Sequence, residues 1–179
     1  PEKEFVALYS PVMKKRVDLP EKKYEGYIFD LDGTLVDSMP LHYRAWREAL
    51  ARAGAPDHVF RADEFYSCGG KSANDVVRFL NERYGMHMDA ASTAADKRRI
   101  YLEMLEKEGM QPIREVVEFV HSLGDAPKAI ATGSAMPGAS RTLAAAGLSG
   151  LFDVILTPDE VEHGKPAPDM FLKAAELLG

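Results

Sequence analysis

The chain has 179 residues, enough for one large domain or a domain carrying a small insert. Apolar residues make up 46% and charged residues 28%, which excludes a disordered, collagen-like or disulfide-stapled chain. Acidic residues outnumber basic ones 28 to 22, for a net charge of −6, and no apolar run nears the roughly 18 residues of a membrane span, so neither nucleic acid nor membrane is an expected partner. A single cysteine, Cys68, cannot close an internal disulfide, and the reducing cytoplasm is the expected compartment. The first eighteen residues mix charge with short apolar stretches and lack the uninterrupted core of a signal peptide.

Along the chain, Tyr24 to Phe29 is a short aromatic and β-branched run that reads as a buried strand, ending abruptly in Asp30, Asp32 and Gly33. A helix follows, with Ser38 as N-cap, Pro40 in its first turn, and one apolar face formed by Leu41, Ala45, Trp46, Ala49, Leu50 and Ala53. From Ala55 to about Gly109 the chain reads as helical throughout. Ser72 and Asp75 have capping-box spacing, and a further helix spans Ala90 to Glu108. Another helix follows Pro112, with Val116, Val117, Val120 and Leu123 on one side. The pattern then alternates: strand Lys128 to Thr132, helix Ser140 to Ala146, strand Phe152 to Thr157, helix Pro168 to Leu178. Alternation of this kind predicts a parallel, layered α/β sheet. The helical block between the first two of these strands is far longer than a crossover needs, so it is read as an inserted cap over the carboxyl edge of the sheet.

The sharpest chemical feature is Asp30-Leu31-Asp32-Gly33-Thr34-Leu35-Val36-Asp37-Ser38. Two carboxylates two residues apart at the end of a strand point to the same side. Holding them together at an apolar edge is costly without a cation or proton. An isolated Asp-x-Asp-Gly is more simply a turn; at a strand's carboxyl end in an open α/β sheet it stands where ligands bind.

These residues resemble the first motif of the haloacid dehalogenase (HAD) superfamily, DxDGTxxDS. Thr132-Gly133-Ser134 after the next strand, Lys165-Pro166 after the third, and the helical insert agree in order. The segments DSMPLHYRAWREAL and HGKPAPDMF resemble the beta-phosphoglucomutase-like branch, which includes sugar phosphatases acting on fructose 1-phosphate. The resemblance runs from about Tyr24 to Gly179 and implies a Rossmann-like core over residues 21–38 and 111–179. It implies a helical cap over 39–110, with residues 1–20 as an N-terminal extension.

The activity so implied is a Mg2+-dependent phosphatase acting on a small-molecule phosphate ester. Asp30 is the expected nucleophile, forming an aspartyl-phosphate, and Asp32 the general acid and base, a role that requires its proton to persist near neutral pH. Asp30, through its carboxylate, and Asp32, through its carbonyl, are the expected metal ligands. Gly33, Thr34, Thr132, Gly133 and Ser134 are expected around the phosphate, with Lys165 as a fixed positive charge. Family dehalogenases lack an acid at the position of Asp32, since a halide needs no proton, so its presence favours phosphate esters. In the cap, His42 is expected near the hinge, where it would position substrate or move a proton; an ordinary amphipathic-helix histidine is the alternative. Lys71 stands beside Ser72, which occupies the place of the mutases' phosphate-holding arginine. A lysine does not reproduce a bidentate clamp, and this weakens the reading as a beta-phosphoglucomutase. The resemblance offers Lys97 as a match to a cap lysine of the branch, but it is read as a solvated helix lysine, and Cys68 as a small buried residue. A silent phosphosugar-binding module is the reading from another class.

One departure concerns the family's fourth motif, an acidic pair after a fourth core strand that helps hold Mg2+. No convincing counterpart occurs before Gly179; Asp159 and Glu160 belong to the preceding loop. The expectation is that the C-terminal part of the core lies in a longer protein. The alternative is that Phe5 to Tyr9 supplies an edge strand, against a reading of that segment as a charged leader with Lys14, Lys15 and Arg16. If these 179 residues were the whole molecule, weak Mg2+ binding and poor turnover would be expected. The oligomeric state is not legible.

Overall fold

In a computed structural model, which describes residues 4–8 and 19–179, four strands form one parallel sheet in the order β1-β2-β3-β4. They are β1 (Phe5–Leu8), β2 (Gly26–Phe29), β3 (Lys128–Ala131) and β4 (Val154–Leu156). Between β2 and β3 run α1 (Met39–Arg52), α2 (Ala62–Ser67), α3 (Ala73–Tyr84), α4 (Ala90–Glu108) and α5 (Arg114–Ser122). Helix α6 (Met136–Ala145) joins β3 to β4, and α7 (Asp169–Leu178) follows β4. This is the expected α/β architecture with an inserted helical cap.

The sheet is covered on both faces, as parallel sheets are. Tyr27, Phe29 and Ile130 alternate toward a core shared with α1, α4, α5 and α6, through Leu41, Ile100, Val116 and Leu143. Ile28, Ala129 and Ala131 alternate the other way, onto Met170 and Ala174 of α7. The paired register Ile28↔Ala129 and Phe29↔Ile130 keeps both sets in step. A separate cluster of Trp46, Phe60, Phe65, Val77 and Leu80 gives the cap a core of its own.

At the sheet edge, Phe5–Leu8 pairs in parallel with β2, so this part of the N-terminal segment is a strand rather than a leader. Lys22 closes an ion pair to Glu4 there at 2.6 Å. Tyr9, Lys14, Lys15 and Arg16 lie outside the described residues. Elsewhere α4 spans the expected residues, and α3 carries its expected cap, Ser72 accepting from the Asp75 N–H. Helix α6 begins at Met136 rather than Ser140, because Pro137 sits in its first turn, where a missing N–H costs nothing. Ala53 falls just beyond α1 and is exposed.

One buried aromatic residue carries strained backbone. Phe60 lies at φ 59, a conformation that bulky L residues rarely adopt. Its ring is edge-on to both Trp46 and Phe65, and its N–H donates to Glu64 Oε2 at 3.1 Å. The same oxygen accepts from the Tyr84 hydroxyl at 2.8 Å, while Oε1 lies 2.7 Å from Arg83 Nε in an ion pair poorly aligned for a hydrogen bond. Glu64 thus ties the strained turn to α3. Glu64→Ala is expected to lower the unfolding free energy by about 1–3 kcal/mol in urea titrations, by leaving the Phe60 N–H without its acceptor. An unchanged midpoint would show that the turn holds itself.

Candidate active site

Strand β2 ends at Phe29, and the chain turns at once through Asp30, Asp32 and Gly33 before entering α1. Gly33, at φ 75, makes the turn, and its N–H donates to Val36 O at 2.9 Å. A cavity of about 1150 Å³ opens at this end of the sheet between core and cap. Asp30, Asp32, Gly33, His42, Lys71 and Lys165 line it, and Gly133 and Ser134 also reach it. Residues separated by more than a hundred positions are thereby brought together around the two carboxylates. Thr34 and Thr132 are fully buried beneath them.

The two aspartates have opposite surroundings. Asp30 Oδ1 accepts from the Leu31 N–H and pairs with Lys165 Nζ, each at 2.9 Å. Lys165 also donates to Ala131 O at 2.9 Å and lies 5.0 Å over the Phe171 ring, so the ammonium is fixed rather than solvated. Burial pushes the Asp30 carboxyl above its ordinary value, against the pull of Lys165 and with a further push from the neighbouring Asp32 charge. One cation therefore does not fully compensate this carboxylate.

Asp32 sits among donors. Oδ1 accepts from the Ser38 hydroxyl at 2.6 Å and from His42 Nε2 at 2.9 Å. Oδ2 accepts from the Ser134 hydroxyl at 2.7 Å and, more weakly, from Thr132 Oγ1 at 3.4 Å. Burial opposes ionisation, but His42 and the two serine hydroxyls outweigh it and hold the carboxyl well below the usual range. In this arrangement Asp32 is a carboxylate, which departs from the expectation of a retained proton. Ser38, expected to cap α1, makes no side-chain cap bond because its hydroxyl is committed to Asp32. Ser134, expected at the phosphate, is likewise turned to Asp32.

Behind Asp32 stands a pair whose second member the sequence reading misjudged. Lys97, read as a solvated lysine, is tucked 2.8 Å from His42 Nδ1, with Trp46 and Tyr101 rings 5.5 and 5.3 Å away. The ammonium donates to Nδ1, which leaves Nε2 as the protonated nitrogen facing Asp32. Burial and the adjacent Lys97 charge push the His42 pKa down, against the pull of Asp32. Burial brings Lys97 itself down to about 8. The signal available in sequence was its spacing, four residues ahead of Tyr101 on one face of α4.

The cap closes onto the core through glycine. A Cβ on Gly133 would meet Gly70 O at 2.5 Å, and a Cβ on Gly70 would meet Lys165 Cδ at 3.0 Å. Gly70 is also at φ 85, where a side chain is strained. Among the described residues no group of three or more carboxylate, histidine or cysteine side chains could cage a metal. Asp30, partly buried and incompletely compensated, fits a hard cation that takes one carboxylate, a backbone carbonyl and water. The Asp32 side chain, with its oxygens already accepting four donors, fits such a cation only through its carbonyl.

The Lys97 environment sets a pH dependence. Its pKa is about 8 when folded against 10.5 when exposed, so between those values the unfolded chain binds more protons and stability rises with pH. Below pH 8 the buried ammonium costs on the order of 1–3 kcal/mol. Urea unfolding at pH 7 and pH 9.5 is expected to show this rise in the wild type and not in Lys97→Met. Equal pH responses would mean that Lys97 is solvated after all.

Residues 24–179 match the haloacid dehalogenase-like hydrolase family. The chain is 33% identical over 159 residues to the fructose-1-phosphate phosphatase YqaB of Escherichia coli (strain K12), covering 88% of this chain and 82% of that protein. It is 35% identical over 159 residues to hexitol phosphatase A of the same organism, covering 87% and 69%. A hydrolase from Pseudomonas syringae of known structure superposes with a TM-score of 0.76 at 30% identity, over 86% of this chain and 70% of that one. With the sheet order, the cap and the paired aspartates in place, the chain belongs to the haloacid dehalogenase-like hydrolases.

Proposed function

We infer that the protein is a phosphoric monoester hydrolase acting on a small phosphorylated carbohydrate, with Asp30 as nucleophile. The observation that carries this reading is the Asp30–Lys165 pair at 2.9 Å, set in the cavity beside a second, separately stabilised carboxylate. The relatives named as sugar and hexitol phosphatases support the class of substrate.

An ester phosphate repels an anionic nucleophile, so its charge must be countered before attack. Lys165 supplies one fixed positive charge at Asp30, and Lys71 stands at the cap side of the same cavity. An Asp30 oxygen attacks phosphorus as the ester P–O bond breaks, and the leaving oxygen takes a proton from Asp32. Asp32 gains affinity for that proton when a dianionic ester enters beside it, because a like charge disfavours the carboxylate. A water molecule then attacks the aspartyl-phosphate, gives its proton to Asp32, and releases phosphate with Asp30 restored. Asp32 thus gives and regains one proton per cycle. Asp30 and the Asp32 carbonyl would hold Mg2+, which supplies electrostatic neutralisation of the phosphoryl oxygens when bound. The close Gly133–Gly70 approach lets the cap lie directly against the core at the pocket.

Hydrolysis is favoured over phosphosugar mutation by the occupied cap loop. Ser72 caps α3 and bonds Asp75 Oδ2 at 2.6 Å, and Lys71 lies 4.8 Å over the Phe79 ring. Neither offers a bidentate hold on a second phosphate.

The test is phosphate release from sugar and hexitol phosphates, with and without Mg2+. Asp30→Asn keeps the shape and is expected to lower kcat by roughly 10³-fold or more; undiminished turnover would remove Asp30 from the role. Gly133→Ala is expected to lower kcat/KM by about 10-fold or more, because the cap cannot seat.

A further inference from the structure

The imidazole of His42 is held on three sides, and only two of them belong to the proton path. Nε2 meets Asp32, Nδ1 meets Lys97, and the ring face lies on Tyr101 with centroids 4.1 Å apart and planes 6° from parallel. Tyr101 is 2% exposed, and its hydroxyl reaches Thr142 Oγ1 at 2.8 Å; Thr142 is 1% exposed. Around this pair the packing is apolar, from Ile100, Leu105, Ala139 and Leu143. A phenylalanine and a valine would fill the same space without burying two hydroxyls. A buried neutral hydrogen bond adds little net stability over such an apolar pair, whereas it fixes direction. What it directs is the seating of the cap: Tyr101 belongs to α4 of the insert, and Thr142 to α6 of the core.

We propose that Tyr101 is a positioning residue, and that its hydrogen bond to Thr142 locks α4 onto the core in the one register that aligns His42 with Asp32. Lys97 and Tyr101 are four residues apart on the same face of α4, so they move as a unit. When α4 seats on α6, the phenol ring fixes the imidazole plane while Lys97 fixes its tautomer. Asp32 then receives its hydrogen bond only with the cap in place. If α4 slips, His42 loses its stack and its Nδ1 donor together, and Asp32 loses one of its closest partners. Proton traffic at Asp32 is thereby confined to the closed pocket. Its catalytic half rests on the phosphatase reading; its structural half does not.

The decisive variant is Tyr101→Phe with Thr142→Val, which removes both hydroxyls, leaves no orphan and preserves the stack's volume. Its urea midpoint is expected to stay near that of the wild type. Its kcat for the preferred ester should fall about 10-fold or more with KM changed less than about 2-fold, since orientation is lost and not binding. Tyr101→Leu, which removes the ring face, should fall further. Nitrogen-15 NMR of labelled histidine gives a readout independent of turnover: the wild type should show His42 as a single Nε2–H tautomer, and the double variant should show averaged ring shifts. Retention of one tautomer together with unchanged kcat would overturn the proposal. Averaged shifts in a protein that hydrolyses no ester would uphold the positioning role and count against the phosphatase reading instead.

Discussion

Two carboxylates brought to the end of one buried strand are the constraint that organises this molecule. Water would screen them; the pocket does not. The structure meets the cost unequally, giving Asp30 one ammonium and Asp32 a fan of hydrogen-bond donors. Their proton affinities diverge accordingly, upward for Asp30 and downward for Asp32. Paired groups pushed apart in this way are the usual mark of divided chemical labour. That order is the reverse of what the proposed attack by Asp30 and proton donation by Asp32 require. A divalent cation held by Asp30 would lower its proton affinity, and an anionic ester beside Asp32 would raise that of the second carboxyl.

The same constraint explains where the insert stands. The turn that carries Asp32 runs directly into α1, so the first cap helix is covalently tied to the proposed acid–base group. His42 arrives on the first turn of that helix, and α4 returns with Lys97 behind it. Trp46 on α1 and Tyr101 on α4 then give the lysine an aromatic housing that makes its burial tolerable.

The legible parts of the fold and site were those written in local pattern. The β2 strand, the Asp30–Asp32 turn, α4 and the β3 and β4 segments could be read because periodicity and punctuation act over a few residues. The grouping of Asp30, Thr132 and Lys165 could be read because their order resembles the family's motifs, and strand ends converge in a parallel sheet. What escaped depended on contacts between distant segments. Lys97 looked solvated because its partner His42 is 55 positions away. Ser38 looked like a helix cap because its rival attraction, Asp32, becomes visible only once the turn folds. The start of α6 was missed because Met136-Pro137-Gly138 reads as loop chemistry, although proline in a first helical turn was a usable sign. The glycine pair left no trace either, since Gly70 and Gly133 meet only across the cap–core boundary.

That boundary is where specificity of timing is built. Two kinds of contact cross it: bare backbone at Gly70–Gly133, and side chains through His42, Lys97, Tyr101 and Thr142. Bare backbone permits approach at a distance that side chains would forbid, and so it sets how completely the pocket can close. Directional hydrogen bonds permit only one register, and so they set what is aligned once it has closed. A pocket that closed without aligning Asp32 would trap its ligand idly. One that aligned Asp32 without closing would expose the proposed phosphorylated intermediate to uncontrolled water. Joining both contacts to the same helical insert would make closure and alignment a single event, as the proposed aspartyl-phosphate route requires.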